Sequence, residues 1–265
     1  PLPSMEPLVH TLVLLAMAVA TVAIEVVPLD MAPYSFDDQY EGCRPAMTAA
    51  LPALNRSDVQ QNEKFAQVWQ KATKEWRKRG SPVSPLASPA QAIALMAYTM
   101  PELYEEFNAA VRTAGRSSRE YRDNFHFKTL HFLLTDALGT LRGRQGELCR
   151  CVAQQVDRVW FEAQRGQRVR FGHFMSVSLC KGGSVGVETQ TVLHMVSCQG
   201  VDIKGFSFLP DKDEVLIPPF ETFEVTDVTE DGGKISIMLD LTKTHSNYNC
   251  EFLRGDSAGT AWGGR

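Results

Sequence analysis

Two stretches of this chain, residues 171–179 and 211–221, alternate short apolar runs with polar side chains. The carboxylate of Glu214 stands at the start of the apolar run 215–217. Two prolines end that run, because proline cannot donate to the hydrogen-bond ladder of a central strand. Ser176 and Ser178 alternate along the other stretch. An acid and two hydroxyls fixed on rigid strands could bind a charged sugar cofactor, so these stretches form the candidate site.

The same stretches resemble the Phe-x-Ser-x-Ser strand and the Glu-x-Glu-Val-Leu-Ile-Pro-Pro-Phe-Glu segment of the vertebrate ecto-mono-ADP-ribosyltransferases. Residues 125–137 resemble the helix signature of that family, and residues 26–40 resemble the mature N-terminus of its avian arginine-specific members. The resemblance covers roughly residues 26 to 253. It implies a glycosyltransferase-class enzyme, an NAD(P)+–protein-arginine ADP-ribosyltransferase, that uses NAD or NADP as co-substrate and needs no metal.

The resemblance assigns roles to single residues. Glu214 matches the family's catalytic glutamate, whose carboxylate would stabilise the positive charge that develops on the ribose when nicotinamide leaves. Ser176 matches the active-site serine that hydrogen-bonds to NAD and orients the glutamate, and Ser178 supports the same strand. Without the surrounding motif, an acid at this position would be read as a surface group at a strand edge.

Gln154 departs from the family pattern. When the chain is aligned on Cys149 and Val152, this glutamine stands where the family has an arginine that holds the NAD phosphates. An amide can donate a hydrogen bond, but it cannot supply the bidentate, charge-assisted contact of a guanidinium. Arg158 and Arg150 could replace the missing cation only if the loop changes register.

Lys212 is the second departure, because arginine-specific relatives have the first glutamate of Glu-x-Glu there. That acid positions the guanidinium of the acceptor, and a cation would repel it. Gln154 and Lys212 therefore predict impaired transfer to the arginine-bearing acceptor proteins that the resemblance implies. The alternatives are an NAD glycohydrolase or a catalytically inactive secreted protein of the same fold that binds NAD or a partner.

The N-terminus predicts export. Residues 8–24 are almost uninterrupted in apolar side chains, with small residues where a signal peptidase would cut, so residues 1–24 are interpreted as a signal peptide. A membrane anchor is the alternative. Residues 254–265 are expected to be a flexible tail with no glycolipid-anchor pattern, which favours a secreted, extracellular protein. Arg254-Gly255-Asp256 matches the integrin-binding tripeptide, but chance explains so short a match better than an integrin partner.

Export lets the six cysteines pair, because the secretory pathway is oxidising. By the family resemblance, two bridges are expected, Cys43 with Cys250 and Cys149 with Cys198. Cys151 and Cys180 remain, either as a third bridge or as free thiols. The sequon at Asn55 predicts a glycosylated, exposed loop.

Composition and periodicity predict one α+β domain over residues 25–253. Hydrophobic residues make up 44% of the 265, and a formal charge of −4 gives no electrostatic case for binding nucleic acid. Helical spacing of apolar residues runs over about 57–143, with helix starts expected at a capping box on Ser57, at Ser88 and at Pro101. His131 and Lys128 fall in this part and are interpreted as structural or surface residues.

Short β runs follow over about 148–245, with strands expected at 169–171, 191–197, 215–217, 223–228 and 234–241. Asp231-Gly232-Gly233 predicts a hairpin turn between the last two. His194 lies in one of these strands and is given a structural role. These patterns predict a helical N-terminal layer packed on a C-terminal β-sandwich, and the resemblance implies that the sandwich is the NAD-binding core.

Overall fold

The computed structural model of the chain describes residues 25–146, 148–157, 159–180 and 191–257. Helices come first and most of the strands follow. The helices in the described part are α1 (Arg44–Gln61), α2 (Glu63–Lys78), α3 (Pro89–Tyr98), α4 (Pro101–Ala114), α5 (Ser118–Asn124), α6 (Lys128–Gln145) and α7 (Glu251–Ser257). The α+β class is confirmed.

Helices α3 and α4 begin where the sequence predicts. Ser88 caps α3, because its side chain accepts a hydrogen bond from the backbone N–H of Gln91 at 3.4 Å, with Pro89 in the first turn. Pro101 opens α4, and Gly115 ends it. The polar link expected after α4 contains the short helix α5, which Ser117 caps through the N–H of Glu120.

The expected helix start at Ser57 is wrong. Helix α1 begins at Arg44 and continues through Ser57, and the break falls at Asn62, whose side chain caps α2 by accepting from the N–H of Phe65. Asn55 therefore lies inside a helix and not in an exposed loop. Its amide nitrogen is buried and has no hydrogen-bond partner among the described residues, so the expected exposed loop is wrong.

Eight strands join into one mixed sheet in the order β4-β9-β10-β6-β2-β5-β8-β7, and β1 pairs with β3 in a two-stranded parallel ribbon. The strands are β1 (Glu25–Pro28), β2 (Arg150–Val156), β3 (Val159–Glu162), β4 (Arg168–Val169), β5 (Met175–Leu179), β6 (Thr191–Ser197), β7 (Val201–Asp202), β8 (Glu214–Ile217), β9 (Glu221–Asp231) and β10 (Lys234–Thr244). Strands β9 and β10 form the expected hairpin, with Gly232 and Gly233 at φ +56° and +80°.

The sheet has one weak seam, between β2 and β5. Among the described residues, Val152 pairs with Leu179 and Ala153 with Ser178 across it, and from Gln154 onward β2 pairs there only with β6. The rest of β5 pairs only with β8. The seam divides the sheet into a five-stranded part and a three-stranded part. The strand pairing therefore does not confirm a β-sandwich of two separate sheets.

Two apolar cores flank β8. Leu216 packs in the larger core, formed mainly by α1–α4 and α6, whereas Val215 and Ile217 pack in a second core built from side chains of the sheet. All four residues of β8 are buried. This double burial explains why its sequence is a continuous apolar run, and it fixes Glu214 at the start of an immobile strand.

The three disulfides fix the ends of the domain and both sides of the seam. Cys43–Cys250 and Cys149–Cys198 are the bridges implied by the family resemblance, and both are confirmed. The two remaining cysteines form the third bridge, Cys151–Cys180, which joins β2 to the residue after β5. Closing the loop of sequence separation 207 between Cys43 and Cys250 stabilises the fold by about 5 kcal/mol in the chain-entropy model.

Helix α7 extends into residues 254–257, the first part of the segment that was expected to be a flexible tail. Helix α7 covers Arg254 and Gly255, so the integrin-type tripeptide starts in a helix and not in an extended loop. Asp38 anchors this helix by accepting hydrogen bonds from the backbone N–H groups of Cys250 and Glu251, each at 2.9 Å.

The expected signal peptide, residues 1–24, lies outside the described residues. No helix within the described residues is long and apolar enough to cross a membrane.

Candidate active site

The carboxylate of Glu214 is held by two hydroxyls. Ser176 on β5 donates to its Oε1, and Ser207, in the loop before β8, donates to its Oε2 at 2.7 Å. Glu214 is 4% exposed, and Ser207 is fully buried. The structure thus brings the predicted pair Ser176 and Glu214 together, and each carboxylate oxygen receives a hydrogen bond. Ser178 lies directly opposite Glu214 on β5 and is exposed.

Ser207 is a site residue that the sequence reasoning missed. Its position is fixed by its own backbone, because its N–H donates to Ile203 O and its carbonyl accepts from Arg79 at 2.7 Å. Arg79 also donates to Phe208 O at 2.9 Å. The guanidinium at the end of α2 therefore holds the loop that presents Ser207 to Glu214.

A cavity of about 660 Å³ opens at the seam where β2 and β5 separate. Gln154 and Val156 of β2 line one side, and Met175 of β5 and Tyr104 of α4 line another. The N-terminal segment before α1 closes it further, with side chains from Glu25 to Tyr34. Its volume lies in the range of small-molecule sites, about 300–1,000 Å³.

Ser176 and Glu214 stand beside this cavity and do not line it. Met175, the neighbour of Ser176, is part of the wall. Tyr104 connects the two places: burial raises the pKa of its phenol, and hydrogen bonds with Tyr98 and the backbone of Ser176 partly offset this rise. The clamped carboxylate and the cavity therefore share the wall formed by Tyr104 and β5.

Gln154 lies on the cavity wall, as its predicted cofactor-binding role requires, and its half-buried amide makes no hydrogen bond within the described residues. Arg112, in the last turn of α4, also lines the cavity, and its side chain is exposed. It forms no ion pair within the described part of the chain, so its charge is available to an anionic ligand.

Arg158 lies outside the described residues, and Arg150 donates to Gln145 at 2.9 Å.

A second cavity arginine, Arg170, is not available to a ligand. Its guanidinium is fully buried against Asp37 and also donates to the carbonyls of Met31, Ala32 and His245. It therefore holds the N-terminal segment on the sheet. His173 also lines the cavity; burial, and then the positive charge of Arg112, lower its pKa to about 3, so the ring is neutral at physiological pH.

Lys212 is exposed on the loop that leads into β8, two residues before Glu214. Its N–H donates to Leu209 O at 3.2 Å, which closes a turn. A second lysine on this loop, Lys204, is paired with Asp213 at 2.8 Å. Lys212 is therefore a cation on the loop that leads to Glu214, next to the exposed Asp211.

The histidine and lysine of α6 are structural, as expected. His131 is buried between Tyr40, whose hydroxyl contacts Nδ1 at 2.8 Å, and the carbonyl of Phe36, which contacts Nε2 at 3.1 Å. The carbonyl can only accept, so Nε2 carries the proton of the neutral ring. Lys128 is buried and donates to the carbonyls of Arg122 and Phe125. His194, in β6, is half-buried.

The model of the NAD:arginine ADP-ribosyltransferase family matches residues 29–247. The chain is 45% identical over 263 residues to the erythroblast NAD(P)(+)–arginine ADP-ribosyltransferase of Gallus gallus. The alignment covers 94% of this chain and 87% of that relative. It is 47% identical over 238 residues to NAD(P)(+)–arginine ADP-ribosyltransferase 2 of Gallus gallus, with coverages of 89% and 75%.

The fold is similar to the crystal structure of the eukaryotic mono-ADP-ribosyltransferase ART2.2. The TM-score is 0.71 at 36% identity, and the match covers 84% of this chain and 98% of that one. A mutant of ART2.2 was solved in complex with NAD and matches this chain with the same TM-score at 35% identity.

Proposed function

The chain belongs to the NAD:arginine ADP-ribosyltransferase family, and on that premise we propose that it transfers ADP-ribose from NAD(P)+ to arginine side chains of proteins. The observation that carries the proposal is the buried Glu214 carboxylate, held at both oxygens beside a cavity of cofactor size. Preorganised charge of this kind stabilises a transition state without the cost of reorienting solvent.

In the proposed reaction, Glu214 stabilises the positive charge that develops on C1′ of the nicotinamide ribose. The bond from C1′ to the nicotinamide nitrogen breaks, and nicotinamide leaves with the electron pair. A guanidinium nitrogen of the acceptor then bonds to C1′ and gives up a proton to solvent. Ser176 and Ser207 keep the carboxylate oriented throughout, because both hydroxyls donate to it.

We assign cofactor binding to the cavity at the seam. Arg112 supplies the cation that would meet the pyrophosphate, and Gln154 contributes a neutral hydrogen bond where relatives have the stronger arginine contact. Ser178 is assigned a lesser contact from the exposed end of β5. This arrangement would bind NAD(P)+ through the guanidinium of Arg112 and the neutral amide of Gln154.

We assign Lys212 to the acceptor side of the site. Its ammonium would repel the guanidinium of an approaching arginine, so transfer is expected to be slower than in a protein with glutamate at this position. The substitution lowers the rate of the proposed reaction and does not replace it with another function.

We also propose that the protein acts outside the cell, on extracellular or cell-surface acceptors. Three disulfides in a chain of this size fit an oxidising compartment, since cytosolic thiols are kept reduced. The apolar N-terminal stretch, residues 8–24, would direct the export.

The proposal is tested by incubating the disulfide-bonded protein with NAD and a guanidino acceptor such as agmatine, and by measuring free nicotinamide and ADP-ribosylated product. Wild-type protein should form product, and Glu214→Gln should lower the rate by roughly 10²- to 10³-fold, the usual cost of losing one preorganised stabilising group. Product formation by Glu214→Gln at the wild-type rate would show that Glu214 takes no part in the reaction. Absence of product and of nicotinamide release in the wild type would overturn the proposed function.

A further inference from the structure

An open groove of about 350 Å³ runs between the exposed face of α2 and the aromatic ring of Phe208. We call it the α2 groove. Its charged walls are Lys71, Lys74, Lys78 and Glu75, and Phe208 forms its floor. The three lysines fall at spacings of three and four residues, which places them on one side of the helix.

The α2 groove is basic although the whole chain carries a formal charge of −4. Lys71 contacts Glu102, and Lys78 contacts Glu75 at 3.7 Å. Both lysines remain half or more exposed, at 50% and 78%. Lys74 forms no ion pair within the described residues. Two carboxylates, Glu75 and Glu102, meet the three wall lysines and Arg79, so the groove keeps a positive excess that a ligand could neutralise.

The floor of the groove is rigid. The ring of Phe208 lies 5.5 Å from Lys71 Nζ and 5.9 Å from Arg79 Cζ, within the range of cation–π contact. Arg79 donates to the carbonyls of Ser207 and Phe208, and Glu75 accepts from the same guanidinium at 2.9 Å. The next residue, Leu209, is 47% exposed and extends the apolar surface.

The groove is also adjacent to the candidate active site. Phe208 follows Ser207 in the chain, and the hydroxyl of Ser207 donates to the carboxylate of Glu214. Lys212, on the acceptor side, belongs to the same loop. A polypeptide lying in the groove would therefore place its neighbouring residues beside the loop that carries Ser207 and Lys212.

From this placement we propose that the α2 groove binds an acidic segment of the acceptor protein, next to the arginine that is modified. The inference rests on the proposed function, which supplies the arginine. Aspartate and glutamate of the segment pair with Lys71, Lys74 and Lys78, and an apolar residue packs on Phe208. These contacts compensate for the repulsion between Lys212 and the arginine itself, so the enzyme selects arginines in acidic surroundings.

The test uses three fluorescent peptides with one arginine each, flanked on both sides by aspartates, serines or lysines. Transfer of ADP-ribose and binding by fluorescence anisotropy are measured for each peptide. The acidic peptide should have a kcat/KM roughly tenfold above that of the serine peptide, and the lysine peptide should be the poorest. The preference should vanish at about 1 M salt, where the Debye length is about 3 Å.

Two double variants separate an effect of the groove from an effect of the protein's overall charge. Lys74→Glu with Lys78→Glu should abolish the preference for the acidic peptide and leave NAD hydrolysis without acceptor unchanged. The matched control, Lys234→Glu with Lys243→Glu, makes the same charge change on exposed positions of β10 and should keep the preference.

Equal kcat/KM for the acidic and serine peptides would overturn the groove proposal, and so would an equal loss of preference in the control. If no peptide is modified, the proposed function fails, and anisotropy still decides the groove. Tighter binding of the acidic peptide that depends on Lys74 and Lys78 supports the groove, and equal binding of all peptides overturns it.

Discussion

The hydroxyl of Ser207 donates to Glu214 Oε2 at 2.7 Å, and Ser207 is fully buried. Ser207→Ala should therefore lower kcat for nicotinamide release roughly tenfold or more, since a hydrogen bond to a charged group is worth about 1.5–3 kcal/mol. The KM for NAD should change little, because Ser207 lies outside the cavity wall. Ser207→Thr keeps the hydroxyl and should restore most of the kcat. Equal kcat in Ser207→Ala and wild type would show that Ser176 alone orients Glu214.

Lys212→Glu should raise kcat/KM for an arginine analogue by roughly tenfold, because it replaces a repelling cation by an attracting carboxylate. Lys212→Gln removes the charge without reversing it, and we expect an intermediate value. Steady-state transfer to agmatine at fixed NAD measures the effect. Nicotinamide release without acceptor should change much less, and a gain of the same size there would place Lys212 on the cofactor side.

Arg112→Ala should raise the KM for NAD by roughly 10- to 100-fold, the equivalent of losing one charge-assisted contact. Gln154→Arg should lower the KM, because it restores a bidentate cation to the cavity wall. Arg119→Ala, a surface change on α5, serves as the control and should leave the KM as it is. If Arg112→Ala behaves like this control, the pyrophosphate does not lie near α4.

His131 makes the fold sensitive to acid. Burial lowers its pKa from 6.5 to about 3, and its hydrogen bond to Phe36 only partly offsets this. Between about pH 3 and pH 6.5, His131 binds a proton in the unfolded chain but not in the folded chain. The free energy of unfolding should therefore fall as the pH drops below about 6.5, whereas this contribution is constant above it.

Urea unfolding of wild type and His131→Gln at about pH 7 and about pH 5 measures this effect. The loss of stability between the two pH values should be smaller in the variant, whose amide does not titrate in this range. His245→Gln, at an exposed histidine, is the control and should match the wild type. Equal losses in all three proteins would show that other groups cause the acid sensitivity.

The parts of the fold that the sequence predicts well are those set by local chemistry. Ser88 and Pro101 mark the starts of α3 and α4 because capping and proline geometry act within a few residues. Ser57 carries the same kind of signal and fails. There, the burial of Leu54 and Asp58 on either side keeps α1 continuous, so tertiary packing overrides the local cap.

Strand β2 had no clear sequence pattern for a different reason. Beyond the two seam pairs it bonds to β6 alone, and Gln154 faces the cavity while Gln155 is exposed. A strand that borders a cavity needs no apolar alternation. Because of Gln154 and Gln155, the sequence of β2 therefore lacks the alternation that would predict a strand.

Ser176 and Glu214 could be found in advance because each lies in a long motif. Arg112 and Ser207 could not. An arginine in the last turn of a helix is common, and only the packing of α4 against the seam directs this one to the cavity. Ser207 reaches Glu214 because the turn over residues 203–208 reverses the chain, and no pattern around Ser207 predicts that turn.

The three disulfides close loops that lie inside one another, 151–180 within 149–198 within 43–250. The main chain from Cys43 to Cys250 is thus a covalently closed ring. One cut between Cys43 and Cys250 leaves both pieces covalently joined, and Ser176 stays attached to Glu214 through sulfur even when the main chain between them is broken. A single cut can detach only what precedes Cys43 or follows Cys250, so Ser176 and Glu214, the pair proposed for catalysis, would stay in one covalent unit after any single cut.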